Sequence, residues 1–166
     1  MKIILTIACF VIMPGFTGSA VAEPKDLMIL GWVENAVLSD PGMELKAKLD
    51  TGAETSSLDA RIVKKFRRYG KRWVRFAVYD RENGEETIFV RERIRTVGIV
   101  QHDGTRQTRP VVIVSICVAG QTLDTEVSLI DRSEFNYQLL LGRNALASFA
   151  LVDPGDTFLS DPECDS

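Results

Sequence analysis

Between residues 43 and 50 the chain alternates strictly: Met43, Leu45, Ala47 and Leu49 are apolar, while Glu44, Lys46 and Lys48 are charged. A period of two marks a strand with one buried face, and this one runs straight into Asp50. Upstream, "MILGWVENAVL" (28–38) predicts a strand pair or one long strand, closed by Ser39-Asp40-Pro41-Gly42. Downstream, "WVRFAVYD" and "ETIFVRERI" flank Asn83-Gly84, the strongest hairpin signal in the chain. "RPVVIVSICVAG" and "QTLDTEVSLID" predict a second hairpin around Ala119-Gly120. The apolar run "YQLLLG" ends at Gly142, and "RNALASF" after it predicts a short helix. Many short strands and one short helix near the end predict a mainly β, barrel-like domain without internal repeats.

The N-terminal pattern is different. Lys2 precedes an apolar run from Ile3 to Met13, a Pro14-Gly15 break and the small residues Ala20-Val21-Ala22. That order is a secretory signal peptide (1–22), too short in its apolar run for a comfortable membrane span. An uncleaved anchor is the alternative. Cleavage after Ala22 would leave residues 23–166 as one domain, exported to the periplasm of a bacterium. It would also remove one lysine and no acid, moving the formal charge from −3 to −4. A mildly acidic chain argues against general nucleic-acid binding. Cys117 and Cys164 then remain, either as a disulfide holding the C-terminal tail or as two unpaired thiols.

Charge is also unevenly spread. Residues 61–75 hold eight basic side chains and no acid, and residues 153–166 hold five acids and no base. The basic run is either a surface attracting an anionic substrate or envelope polymer, or a solvated face covered by the acidic tail.

The candidate chemistry sits at "KLDTGAETSSLDA". A carboxylate that activates water needs a fixed position, hydrogen-bond donors around it and a second group to share its proton. The alternating strand fixes Asp50 from behind. Thr51 can hold the loop with its hydroxyl, and Gly52 permits positive φ and close approach of backbone amides. Ala53 keeps the loop compact, and Thr55, Ser56 and Ser57 can bond loop backbone. The second carboxylate is missing: this is the sole Asp-Thr-Gly, and the other turn carboxylates, Asp103-Gly104 and Asp153-Pro154-Gly155, lack its context. Two aspartates a few ångströms apart share one proton, so that one acts as base towards water and the other as acid. Asp50 of a second copy across a two-fold axis is the simplest source of the partner.

"LDTGA" followed about ninety residues later by "LLLGRNAL" resembles the retropepsin arrangement. "GWVENAVL", "AKLDTGAETSSLDA", "RPVVIVSICVAG", "VSLIDRSEFNYQLLLGRNAL" and "VDPGDTFL" together resemble the retropepsin-like bacterial family labelled ATP-dependent zinc proteases. The resemblance implies a closed retropepsin-like β-barrel and an aspartic endopeptidase acting on a peptide or protein substrate as a homodimer. It implies Asp50 as catalytic residue, with Thr51, Gly52 and Ala53 in its loop and Leu140, Leu141, Gly142, Arg143 and Asn144 supporting it. It also implies a link to ATP-grasp glutamate ligases, hence to peptide or glutamyl-peptide processing. This chain has Asp59 where the family usually has His. A lid over the site would come from the hairpin around Asn83-Gly84 or from the loop 101–109.

A zinc site needs about three protein ligands, commonly histidines. The chain has one histidine, His102, in a loop-like context, and neither an H-E-x-x-H nor a phosphate-binding G-x-x-x-x-G-K-[ST]. No metal or cofactor is expected, and with only one histidine available as base, nothing in the sequence places a serine or cysteine nucleophile beside it. Two further readings stay open: a non-catalytic periplasmic binding or regulatory domain, and a carboxylate metal site at Asp50.

Overall fold

The structure, a computed structural model, describes residues 26–100 and 104–164. The signal-peptide segment and His102 lie outside the described residues. Within them the chain forms strands β1 (Met28–Gly31), β2 (Val33–Leu38), β3 (Met43–Asp50), β4 (Ser56–Asp59), β5 (Arg61–Arg68), β6 (Lys71–Tyr79) and β7 (Glu86–Val100). Strands β8 (Arg106–Val118), β9 (Gln121–Ile130) and β10 (Leu139–Gly142) follow, then helix α1 (Arg143–Leu146) and strand β11 (Ala150–Asp153).

Alternation does what it predicts in β3. Met43, Leu45, Ala47 and Leu49 are buried, Glu44 and Lys46 are exposed, and Lys48 is half-buried. Burying four apolar side chains on one face supplies the driving force, and the pleat sends every second residue to solvent. Both expected hairpins are present: β6 pairs with β7 and β8 with β9, each antiparallel. The segment 28–38 is two strands in different sheets, because β1 pairs with β11 in parallel while β2 pairs with β3.

Six strands close on themselves. The order β2-β3-β10-β4-β9-β8 returns to β2 through the pairing of Ala36, Val37 and Leu38 with Val118, Cys117 and Ile116. This ring encloses Leu38, Leu45, Leu58, Val112, Ile116, Leu129, Leu139 and Leu141. The first half of β7 pairs with β6 and the second half with β8 across a bulge at Arg93/Arg95, so β5, β6 and β7 extend the sheet beyond the ring. Phe76 and Phe89 stack there at 5.4 Å between centroids and fill the extension's buried face.

The tail is fastened at two places. Cys164 is disulfide-bonded to Cys117 of β8, with Cα atoms 6.0 Å apart. Glu34 of β2 is fully buried, and its carboxylate accepts from the amides of Gly31 (2.6 Å), Leu159 (3.0 Å) and Ser160 (3.2 Å). The Phe158 amide donates to the Val33 carbonyl at 2.8 Å. The tail therefore lies on β2 and the β8–β9 turn. Among the described residues no tail acid pairs with the basic run 61–75, so that run is not covered by the tail.

Candidate functional site

The loop after β3 is built around one carboxylate oxygen. Oδ1 of Asp50 accepts from the amide of Gly52 at 2.9 Å and from that of Ala53 at 3.2 Å. Oδ2 faces the ammonium of Lys48 at 3.4 Å, on the same face of β3 two residues back. Burial pushes the Asp50 carboxyl upward, but the Gly52 amide, the Lys48 charge and the Ala53 amide outweigh it, and the group lies below the usual carboxylate range. The side chain keeps a quarter of its surface exposed, and Thr51 and Gly52 beside it are exposed. An ionised carboxylate thus points outward from a rigid loop.

Two expectations about the loop change. Gly52 does not use positive φ; its value is room, since a Cβ there would stand 3.1 Å from Asp50 Oδ1. Thr51 fastens the loop through its carbonyl, not its hydroxyl: the carbonyls of Thr51 and Gly52 accept from one guanidinium nitrogen of Arg143 at 3.0 and 2.9 Å.

Strand β10 inserts between β3 and β4, parallel to the first and antiparallel to the second. Its register sets Leu140 beside Lys48, Leu141 beside Leu49 and Gly142 beside Asp50. The Gly142 amide donates to Ser56 Oγ at 3.2 Å. The chain then turns into α1, where the amides of Arg143 and Asn144 donate to the carbonyls of Ala53 and Glu54 at 2.9 and 3.1 Å. Every residue from Asp50 to Ala53 and from Leu140 to Asn144 is thereby brought into one assembly. A Cβ on Gly142 would meet the Thr55 carbonyl carbon at 2.7 Å and the Glu54 oxygen at 2.9 Å. Gly142→Ala should therefore destabilise the protein by about 2 kcal/mol in a urea titration, because only backbone can give way. A loss under about 0.5 kcal/mol would show that the loop parts from β10 without cost.

Beside this assembly lies a second cluster that the sequence reading did not assemble. The Asp59 carboxylate accepts from the Arg132 amide (2.8 Å) and pairs with Arg81 (2.6 Å). Arg81 also donates to the carbonyls of Phe135 and Arg132. Arg132 is buried, donates to Ser57 Oγ at 2.9 Å and packs its guanidinium over Phe135. Burial pushes the Arg132 guanidinium below its ordinary value, against the pull of Asp59; Arg109 and Arg81 lower it further, and Asp50 acts the other way. A groove of about 730 Å3 opens between β5, β6 and β9, with Asp59, Ile62, Tyr79, Arg81 and Leu129 in its walls. Strands β7 and β8 pair as far as Val100 and Arg106, and of the second lid candidate, 101–109, residues 101–103 lie outside the described residues. Among the described residues no three His, Cys, Asp or Glu side chains cluster as metal ligands.

A strand ring with one late strand threaded beside an Asp-Thr-Gly loop is the mark of a retropepsin-like β protein. The chain belongs to the RimB-like family, described as retropepsin-like aspartic endopeptidase RimB, whose model matches residues 29–163. A crystal structure of Lpg0085, a protein of unknown function (DUF785) from Legionella pneumophila subsp. pneumophila str. Philadelphia 1, is similar with a TM-score of 0.70 and 36% identity. It covers 80% of this chain and 98% of that one. A protein of Shewanella pealeana named "Probable alpha-L-glutamate ligase" is 33% identical over 116 residues, or 69% of this chain and 25% of the relative. One of Parasynechococcus marenigrum with the same name is 34% identical over 119 residues, or 69% of this chain and 26% of the relative. This chain thus spans about a quarter of the length of these curated relatives.

Proposed function

We propose that the protein is an exported aspartic endopeptidase that works as a homodimer, with a closed β-barrel in each copy and one Asp50 from each at a shared site. The observation that carries this reading is the Asp50 carboxylate itself: ionised, fixed by two amides, braced by Gly142 and Arg143, and open to solvent, with no second carboxylate bonded to it among the described residues. Retropepsin-like family membership supports peptide hydrolysis as the chemistry.

In the dimer the two carboxylates hold one proton between them and a water bridging them. The unprotonated Asp50 takes a proton from water as its oxygen attacks the scissile carbonyl carbon, and the protonated Asp50 gives its proton to the carbonyl oxygen. Collapse of the tetrahedral intermediate breaks the C–N bond as the first Asp50 gives the nitrogen the proton it took from water and the second takes a hydroxyl proton, leaving a carboxylic acid, an amine and the pair with one proton again. The substrate class is glutamyl peptide. Two features support it: the resemblance to a family associated with glutamate ligases, and the names of the relatives, which join glutamate where a peptidase would release it.

Subunit mixing tests the shared site. Equal amounts of the unaltered chain and an Asp50→Asn chain, dissociated and reassociated, give about one quarter fully unaltered dimers. Specific activity on a glutamate-rich peptide should therefore fall to about one quarter, and a value of about one half would mean that each chain acts alone.

A further inference from the structure

The hairpin of β5 and β6 stands outside the ring and outside the site, and its tip is built unusually. The two-residue turn between Arg68 and Lys71 is Tyr69-Gly70, with φ of 50° and 75°. Two positive φ values match the twist of a hairpin and ordinarily select Asn-Gly or Asp-Gly. A tyrosine in the left-handed region is disfavoured by its Cβ, so the position carries a cost that local folding does not explain. The ring gains no burial in return: Tyr69 is 87% exposed, against the Arg68 guanidinium at 5.1 Å.

Around this ring the cations are placed side by side. Arg67 lies opposite Arg72, and Lys64 opposite Arg75, in a pairing where like charges repel. Arg93 of β7 lines the same shallow groove as Lys65, Arg67 and Arg72. Arg61 and Lys71 have acidic partners in Glu86 and Glu92. Lys64, Lys65, Arg67, Arg68, Arg72 and Arg75 have no ion pair among the described residues. Lysines on β5 alone would be enough to protect a sheet edge. Edge protection leaves the second basic strand unexplained, and also the tyrosine at the tip.

We propose that the β5–β6 hairpin is a membrane-docking element. It seats Tyr69 in the headgroup region of an anionic phospholipid bilayer, while Arg67, Arg68 and Arg72, which have no acidic partner among the described residues, contact lipid phosphates. Tyrosine favours that interface because its ring is apolar and its hydroxyl wet. A soluble acidic peptide would satisfy the arginines equally but has no use for an outward aromatic tip. The chain as a whole carries a formal charge of −3, so its field turns the basic hairpin towards a negative surface and the rest away from it.

The test is sedimentation of the full chain with vesicles of phosphatidylcholine alone and of phosphatidylcholine with phosphatidylglycerol. The proposal expects stronger partitioning to the anionic vesicles, reversed by added salt. Arg67→Gln with Arg72→Gln should reduce that partitioning by about 25-fold, at about fivefold per charge removed, and leave the weak neutral-vesicle binding unchanged. Tyr69→Ser should reduce it as well, with circular dichroism and Tm unaltered for this exposed position. Equal partitioning to both vesicle types, or anionic binding indifferent to salt and to both variants, would overturn the proposal. So would arginine-dependent binding to poly-L-glutamate with none to vesicles, which would make the partner an acidic peptide. Cleavage of a soluble peptide is unaffected by these variants on this view, so a failure here is separable from a failure at Asp50.

Discussion

Asp50→Asn is expected to abolish the proposed peptide cleavage, by about four orders of magnitude or more in kcat, while the protein stays folded. The amide oxygen of asparagine can still accept from Gly52 and Ala53, whose bonds go to one oxygen of the carboxylate. The loop is thus retained and only the acid–base chemistry is lost. Activity on a glutamate-rich peptide, measured beside the Tm, separates the two; full activity in a folded Asp50→Asn protein would remove the peptidase reading. A pH signature accompanies it. In the single chain the Asp50 carboxyl sits below its ordinary range, so each copy reaches the dimer ionised in mildly acidic to neutral solution. A pair that shares one proton binds one more proton than the two separate chains do. Lowering the pH therefore tightens the dimer, by about tenfold per pH unit between the Asp50 value of the separate chain and the upper apparent value of the pair. Within one folded chain the sign is opposite. A lowered carboxyl stabilises above its unfolded value, and that contribution fades as the pH falls through the folded one. Sedimentation equilibrium across the acidic range reads the dimer term, and Asp50→Asn should flatten it.

Glu34→Ala is the largest expected loss of stability, about 3 kcal/mol in a urea titration. The substitution leaves the amides of Gly31, Leu159 and Ser160 without their acceptor. Gly31 is buried and cannot turn to water, whereas the two tail amides can be rehydrated if the tail lifts. The lifted tail remains tethered by the disulfide between Cys117 and Cys164. Limited proteolysis should accordingly cut within residues 157–161 much faster in the variant, without releasing a fragment until the disulfide is reduced. Glu34→Gln keeps one acceptor oxygen and should lose about half as much. A change within about 0.5 kcal/mol for Glu34→Ala would show that the tail contributes nothing through this carboxylate.

What could be read from the sequence follows from the range of each interaction. Strand β3 was legible because its burial is written in its own alternation, and the same period places Lys48 on the face of Asp50. The register of Gly142 beside Asp50 could be expected only through resemblance, since no local pattern in "LLLG" says which strand it joins. Strand β4 was missed because "SSLD" is polar and yet buried: Ser56 and Ser57 are satisfied by Gly142 and Arg132, both far along the chain. Strand β5 shows no alternation because it is an outer strand with both faces largely wet. Nothing local in the sequence marks Glu34 as buried, because its tail partners lie 125 and 126 residues away. The cluster of Asp59, Arg81 and Arg132 was hidden for the same reason, its members coming from three separate segments.

The threading of β10 has a consequence in time. Thr51 is made 92 residues before Arg143, the side chain that clasps its carbonyl, and Asp50 has no neighbour at its register position until Gly142 arrives. Synthesis proceeds from the N-terminus, so for most of that passage the aspartate loop lacks its contacts with β10 and Arg143. Its carboxylate is then neither aligned nor braced. A chain interrupted between residues 52 and 139 carries the whole Asp-Thr-Gly sequence and none of the bracing from β10 and Arg143. The order of the segments alone delays a fully braced Asp50 until residue 143 has been made.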